Sequence, residues 1–151
     1  MTMKFQPRHI VMAGIIVLLL IAERFPNVNP FPDVGPRPDN APITVQGLHV
    51  LMVYEAERQD KLMPDEVDII ESAQGAGDLR KWLDANAKGN WHLYDQNIDL
   101  SDSPAWVKEA MSLHPADEIP WILVANSDSG YKGKFPDGTE SDMVKFLEGF
   151  K

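Results

Sequence analysis

Six prolines lie within the eighteen residues from Phe25 to Pro42, and they constrain this chain of 151 residues more than any other feature. Proline fixes φ and lacks an amide hydrogen, so this density excludes a helix and most sheet pairing. Residues 25–44 are therefore predicted to form an extended, polyproline-like linker. Two roles are open for it: a stalk, or a ribbon that lies on a partner through its apolar side chains, which are Phe25, Val28, Phe31 and Val34.

An uncharged apolar run from Ile10 to Ala22 precedes the linker. The run is shorter than the roughly 20 residues that usually span a membrane. A helix from Pro7 to Arg24 would nevertheless reach about 27 Å, with arginines able to snorkel at both ends. Residues 1–24 are therefore predicted to form an uncleaved hydrophobic anchor helix, whose membrane-anchoring residues are Ile10, Val11, Ile15, Ile16, Val17, Leu18, Leu19, Leu20 and Ile21.

Two alternatives compete with the anchor: a cleaved signal peptide and a segment buried in a larger assembly. The length suits a signal-peptide core, but Leu20-Ile21-Ala22 is a poor cleavage site. Lys4 and Arg8 precede the run, whereas Glu23 and Arg24 after it cancel. The positive-inside rule then predicts a single-pass membrane protein with a cytoplasmic N-terminus. The C-terminal domain would be extracytoplasmic, or periplasmic if the protein is bacterial.

Residues 45–151 alternate between strand and helix patterns. Four runs are typical of strands: Leu48–Tyr54, Trp91–Asp95, Trp121–Ala125 and Tyr131–Phe135. Four helices are indicated by capping or first-turn residues at Pro64, Asp78, Ser103 and Thr139. The order β-α-α-β-α-β-β-α predicts an α/β domain with helices on both faces of one sheet, and the C-terminal hairpin adds antiparallel strands.

A proline directly precedes the third predicted strand, where its missing N–H costs no ladder bond, and the Ile119-Pro120 bond is a candidate for the cis isomer. This corner, the element order and the closing helix resemble the thioredoxin-like superfamily over about residues 45–151. The resemblance implies a three-layer α/β/α sandwich with a mixed central sheet. In that family a Cys-x-x-Cys pair follows the first strand, eight residues before a helix proline. Counting back from Pro64 puts Ala56 and Gln59 at the two cysteine positions.

The chain contains no cysteine. Thiol–disulfide exchange needs a thiolate, so redox catalysis of the thioredoxin kind is excluded, as are disulfides and cysteine-ligated metals. The formal net charge is −9 and the pI is about 4.8. An acidic chain without a basic run argues against nucleic-acid binding, which depends on clustered Lys and Arg.

Metal and carboxylate chemistry have weak signals. His49 and His92 lie on neighbouring predicted strands, but two ligands fall short of a usual transition-metal site. Asp95-x-Asn97-x-Asp99 matches only the first half of an EF-hand loop, so loop and capping chemistry is expected there. The carboxylates after the first strand are interpreted as a solvated, charge-rich loop and helix start, comprising Glu55, Glu57, Asp60, Asp65 and Glu66. No metal, cofactor or catalytic residue is assigned.

In the thioredoxin-like superfamily, the surface beside the cis-proline and the first loop contacts extended peptides. The resemblance therefore implies a partner-binding patch made of Glu55, Glu57, Arg58, Gln59, Ile119, Pro120 and Trp121. The alternative for Trp121 is an ordinary position in the core. The predicted function is non-catalytic: a membrane-anchored domain that binds or scaffolds a protein partner at the membrane surface. One alternative is a structural subunit of an envelope complex or a membrane-containing virion, with the anchor and the linker as assembly contacts. A weaker alternative is a metal- or carboxylate-dependent enzyme.

Overall fold

Two of the most apolar runs in the sequence become the central strands of a sheet. The computed structural model describes residues 40–151, so the predicted anchor and most of the predicted linker lie outside the described residues. The strands are β1 (His49–Tyr54), β2 (Trp91–Asp95), β3 (Trp121–Ala125) and β4 (Gly130–Lys134). The helices are α1 (Pro64–Gln74), α2 (Asp78–Asn86), α3 (Ala105–Ser112) and α4 (Glu140–Glu148), and a 3-10 helix (Ala56–Lys61) follows β1.

The four strands form one mixed sheet in the order β2-β1-β3-β4. β1 is parallel to β2 and antiparallel to β3, and β4 is antiparallel to β3. Val50 lies opposite Trp91 on β2, and Val53 lies opposite Trp121 on β3. The predicted α/β class and mixed sheet are therefore confirmed, and the arrangement is compatible with a thioredoxin-like fold.

Helices cover both faces of the sheet, because β1 buries alternate side chains in two separate cores. Val50 and Met52 pack with residues of α1, α2 and α4, whereas Leu51 and Val53 pack with residues of α3. All four side chains are completely buried. Each contributes about 1.5–3 kcal/mol relative to an exposed position. Burial on both faces explains why this strand is apolar throughout and does not alternate with polar residues.

Local capping chemistry sets the starts of α1 and α4 as the sequence predicts. Pro64 is the first residue of α1, and the Met63 N–H before it donates to the Glu66 carboxylate at 2.8 Å. At α4, the N–H and hydroxyl of Thr139 donate to Asp142 Oδ2 at 3.1 and 2.8 Å. These bonds occupy polar groups at the helix entrance that the helix itself leaves unpaired.

The predicted cap of α2 is wrong. Gly77 precedes this helix and Asp78 is its first residue, with the Asp78 side chain paired to Lys81 at 2.8 Å. The Leu79 N–H is capped across the core by the Glu140 carboxylate of α4, at 2.7 Å. A carboxylate at a helix N-terminus is favourable whichever element supplies it, so a neighbouring helix replaces the local cap.

Two further local predictions fail. Ser103 does not cap α3, because Pro104 occupies the position before the helix and no side chain bonds the first-turn amides there. Residues 56–61, expected as a polar loop, form the 3-10 helix with an irregular backbone at Arg58. Short 3-10 turns are common connectors and have weak sequence signatures, which is why the polar composition did not reveal it.

Candidate functional site

One end of the sheet brings together the segments of the partner-binding patch that the resemblance implies. Tyr54 lies opposite Asp95 at the carboxyl ends of β1 and β2, and Val53 lies opposite Trp121 at the amino end of β3. The loop after β1 and the corner before β3 are therefore neighbours. Ligands of α/β proteins commonly bind outside the carboxyl ends of strands. We call this region the sheet-end patch, with the residues Glu55, Glu57, Arg58, Gln59, Ile119, Pro120 and Trp121.

The corner before β3 is built from buried side chains. The Ile119–Pro120 peptide bond is cis, and the Pro120 carbonyl accepts a hydrogen bond from the Phe135 N–H after β4 at 3.4 Å. Trp121 is only 1 % exposed, and its ring meets the His114 ring edge-on at 5.2 Å. Pro120 and Trp121 therefore shape the patch from beneath, and of the corner residues only Ile119 is partly exposed.

The 3-10 helix supplies the polar side of the patch. Glu57 and Arg58 are exposed, and Gln59 is half-buried. The Glu55 side chain is 13 % exposed, and Arg58 Nη1 lies 3.3 Å from Glu55 Oε2, although the alignment is not that of a hydrogen bond. Glu55 Oε2 is buried and accepts no hydrogen bond from residues 40–151. The polar side of the patch therefore presents the Arg58 guanidinium and the Glu57 carboxylate to solvent.

Asp95 connects the patch to the end of β2, although the predicted patch did not include this residue. Its Oδ2 accepts from the Ala56 N–H at 2.9 Å, and its Oδ1 accepts from the Asn97 N–H at 2.8 Å. These two backbone bonds lower the pKa of Asp95. Asp99 similarly accepts from the Ser101 N–H at 2.9 Å. The Asp-x-Asn-x-Asp motif therefore caps the loop after β2. The parallel pairing of β1 with β2 is the signal that would place Asp95 beside the patch, because it brings the carboxyl ends of the two strands together.

The two strand histidines meet on one face of the sheet, against a tryptophan that the sequence did not connect with them. The ring of Trp106 on α3 lies 4.9 Å from the His49 ring and 5.5 Å from the His92 ring. His92 also stacks on Tyr94 at 5.1 Å. Burial lowers the pKa of His92, which favours the neutral ring at pH 7. Within residues 40–151, no three side chains of metal-binding type converge.

A groove with an acidic lining lies between α1 and α4. Its volume is about 530 Å³, and it is lined by Asp68, Glu71, Ser72, Thr139, Glu140 and Ser141. The Glu140 carboxylate is already engaged, because it accepts bonds from Leu79 N–H and the Ser72 hydroxyl. Glu140 therefore holds α4 in contact with α1 and α2.

The predicted membrane-anchoring residues, from Ile10 to Ile21, lie outside the described residues. No helix among residues 40–151 has the length and apolar character that crossing a membrane requires. Comparison with known proteins gave no match: no protein family, no curated protein and no solved structure matches this chain.

Proposed function

We propose that residues 45–151 form a cysteine-less thioredoxin-like domain that binds or scaffolds a protein partner without catalysis. The observation that carries the proposal is the sheet-end patch. A short 3-10 helix follows β1 and contains Ala56 and Gln59, the positions that the resemblance aligns with the family's redox pair; a cis-proline corner precedes β3. No thiol is present for chemistry, so binding is the family role that these residues can still perform.

The composition of the patch supports contact with an extended chain. Its buried floor, Pro120 and Trp121, fixes the backbone of Ile119, while Glu57 and Arg58 stand exposed beside it. A partner would meet backbone groups at the corner and charged side chains on the 3-10 helix. Fixed backbone positions reduce the ordering cost of binding, which favours recognition by preorganised groups.

We further propose that the domain is held at a membrane surface by residues 1–24 and carried on the linker of residues 25–44. The support is the apolar run from Ile10 to Ala22, with the preceding cations Lys4 and Arg8. Fractionation of cells that express the full chain tests this part. Release into the soluble fraction, with Met1 still present and without detergent, would contradict it.

Site-specific photo-crosslinking in native membranes tests the binding role. A photoreactive residue at Gln59 or at Ile119 should capture the same protein, and the matched position Glu148, exposed at the end of α4, should not. Arg58→Glu should reduce capture from both patch positions. Capture only from positions in residues 1–44 would instead favour a structural subunit that assembles through its anchor and linker, and would reject the patch.

A further inference from the structure

The two outer strands of the sheet are protected to different degrees. On β4, Lys132 and Lys134 are exposed, and the Tyr131 hydroxyl donates to the Lys134 carbonyl at 3.0 Å. Pro42 packs against Gly130 at the start of the same strand. Lysines and covering segments are common means of preventing another chain from pairing with a sheet edge. The β4 edge is therefore closed to strand addition.

The outer edge of β2 receives no such protection from residues 40–151. Its ladder to β1 uses the even-numbered residues of segment 90–96: Asn90 accepts from β1 at 3.0 Å, and Gln96 donates to β1 at 2.8 Å. In a parallel ladder, every second residue of a strand directs both its N–H and its C=O to the same neighbouring strand. The residues between them direct both groups to the opposite side. The odd-numbered residues therefore direct their N–H and C=O groups away from the sheet, and these residues are Trp91, Leu93 and Asp95.

Most of these outward groups have no partner among residues 40–151. The exception is the Asp95 carbonyl, which accepts from the Ile98 N–H at 3.1 Å. An open groove of about 390 Å³ runs beside the strand and is lined by Ala73, Gln74, Arg80, Trp91, His92 and Leu93. A paired strand would place every second side chain toward one face, where such a groove can receive it.

Charge indicates the chemistry of the segment that fits. Residues 91–104 contain Asp95, Asp99 and Asp102 and no Lys or Arg, within a chain of net charge −9. At the other end, Arg80 lies over the Trp91 ring at 5.3 Å, but Asp84 lies 3.7 Å from Arg80. The excess of carboxylates therefore lies at the Asp95 end, whereas Asp84 at the Trp91 end is paired with Arg80. Ile98, 39 % exposed in the loop after β2, adds an apolar contact.

We infer that the outer edge of β2 receives an extended segment of another protein, which pairs through its backbone with Trp91, Leu93 and Asp95. The segment carries apolar side chains in its centre and Lys or Arg at the end that lies beside Asp95. This surface adjoins the sheet-end patch at Asp95, but its Trp91 and Leu93 backbone groups lie outside the patch, so the inference goes beyond the proposed function and stands without it.

Binding of a designed peptide tests the edge on the full-length protein in non-ionic detergent. The probe is fluorescein-labelled Lys-Val-Thr-Val-Thr-Val-Lys, compared with the same peptide carrying Glu at both ends. We expect the basic peptide to bind at least about tenfold more tightly in fluorescence anisotropy. In amide hydrogen exchange followed by NMR, it should slow exchange at Trp91, Leu93 and Asp95 by about tenfold or more and leave Lys132 unchanged.

Proline substitutions provide the matched controls. Leu93→Pro removes an outward N–H without touching the ladder to β1, and should weaken binding about tenfold. Leu93→Ala keeps the N–H and should weaken binding less than Leu93→Pro does, although it also removes a groove-lining side chain. Lys132→Pro makes the same backbone change on β4 and should bind normally. A peptide with alternate N-methylated amides tests the same bonds on the unmodified protein and should fail to bind.

Several outcomes would overturn the inference. Equal binding of the acidic peptide removes the charge argument, and unchanged binding by Leu93→Pro and by the N-methylated peptide removes the backbone argument. Slow exchange at Leu93 in the free chain would show that the edge is already covered. If the slow exchange at Leu93 depends on protein concentration, a second copy of the chain is the occupant of the edge. If it does not depend on concentration, residues 1–39 of the same chain are the occupant.

Discussion

The Ala56 N–H donates a hydrogen bond of 2.9 Å to Asp95 Oδ2, across 39 residues of sequence. The bond links the 3-10 helix that follows β1 to the last residue of β2. The same carboxylate also accepts the Asn97 N–H at 2.8 Å, so one side chain organises two chain reversals at the end of the sheet. The position of the polar side of the sheet-end patch therefore depends on Asp95.

Replacing Asp95 with Ala should lower the free energy of unfolding by about 1 kcal/mol, as when a capping side chain is removed. Asp95→Asn keeps one acceptor oxygen and should cost less. Both can be measured by urea denaturation. The amide of Ala56 should exchange faster in Asp95→Ala, because its acceptor is lost. Unchanged exchange at Ala56 in this variant would show that the carboxylate does not hold the 3-10 helix in place.

Acid should weaken the start of α4. The Thr139 hydroxyl bond, followed by contacts with Lys145 and the Thr139 N–H, lowers the pKa of Asp142 to about 2. A carboxylate with a depressed folded pKa stabilises the protein above its unfolded pKa of about 3.9, and this contribution is lost as the pH falls toward 2. The stability difference between wild type and Asp142→Asn should therefore shrink between pH 5 and pH 2. A difference that stays constant over that range would contradict the assignment.

Gly77 is required by a close approach of two helices. A Cβ at this position would lie 2.0 Å from Ser72 Oγ and 2.7 Å from Ser72 Cα, which is backbone and cannot turn away. Gly77→Ala should therefore destabilise the domain by about 1–3 kcal/mol, the usual range for overpacking. Gly75→Ala is the control, because its Cβ would meet only the Glu71 carbonyl oxygen at 3.1 Å. Equal thermal shifts for the two variants would contradict the steric explanation.

The sequence could predict the elements whose cause is local. The run from Trp121 to Ala125 has no polar residue, so its burial in a central strand follows from composition, and proline before it marks the strand's first residue. The cap at Thr139 lies within one turn of its partner Asp142, so the sequence predicts it for the same reason. Of the patch, the sequence indicated the two segments that meet but not which of their side chains face solvent.

The features that the sequence could not predict arise from contacts between distant segments. Glu140 caps Leu79 from 61 residues away, which no capping pattern within a helix can reveal. Asp95 lies outside the predicted patch, yet its carboxylate holds the 3-10 helix of the patch to the end of β2. Trp121 is enclosed in a core shared with α3, as its alternative of an ordinary core position predicts. The helical spacing of Trp106 with Val107 and Ala110 predicts an apolar face on α3, but it cannot show that two strand histidines contact the Trp106 ring.

Those histidines lead to a prediction about the face covered by α3. Burial lowers the pKa of His92, and the Trp106 ring, 5.5 Å away, excludes water from it. Trp106→Ala should therefore raise the pKa of His92 toward the ordinary value of about 6.5, as NMR titration of the ring protons can measure. Trp106→Phe retains most of the cover and should leave the His92 pKa low. The alanine variant should also lose about 2 kcal/mol of stability, less than a fully buried tryptophan.

The depressed pKa of His92 also determines how the stability of the wild type responds to pH. The folded state favours the neutral His92 ring. The stability that His92 contributes is therefore complete above its unfolded pKa of about 6.5, and it is lost as the pH falls through the lower pKa of the folded state. His92→Gln removes the titrating group and should flatten this part of the stability profile. Trp106→Ala should flatten it as well, because the folded and unfolded pKa values of His92 then converge. A profile of Trp106→Ala that remains as steep as that of the wild type would show that another group titrates in this range.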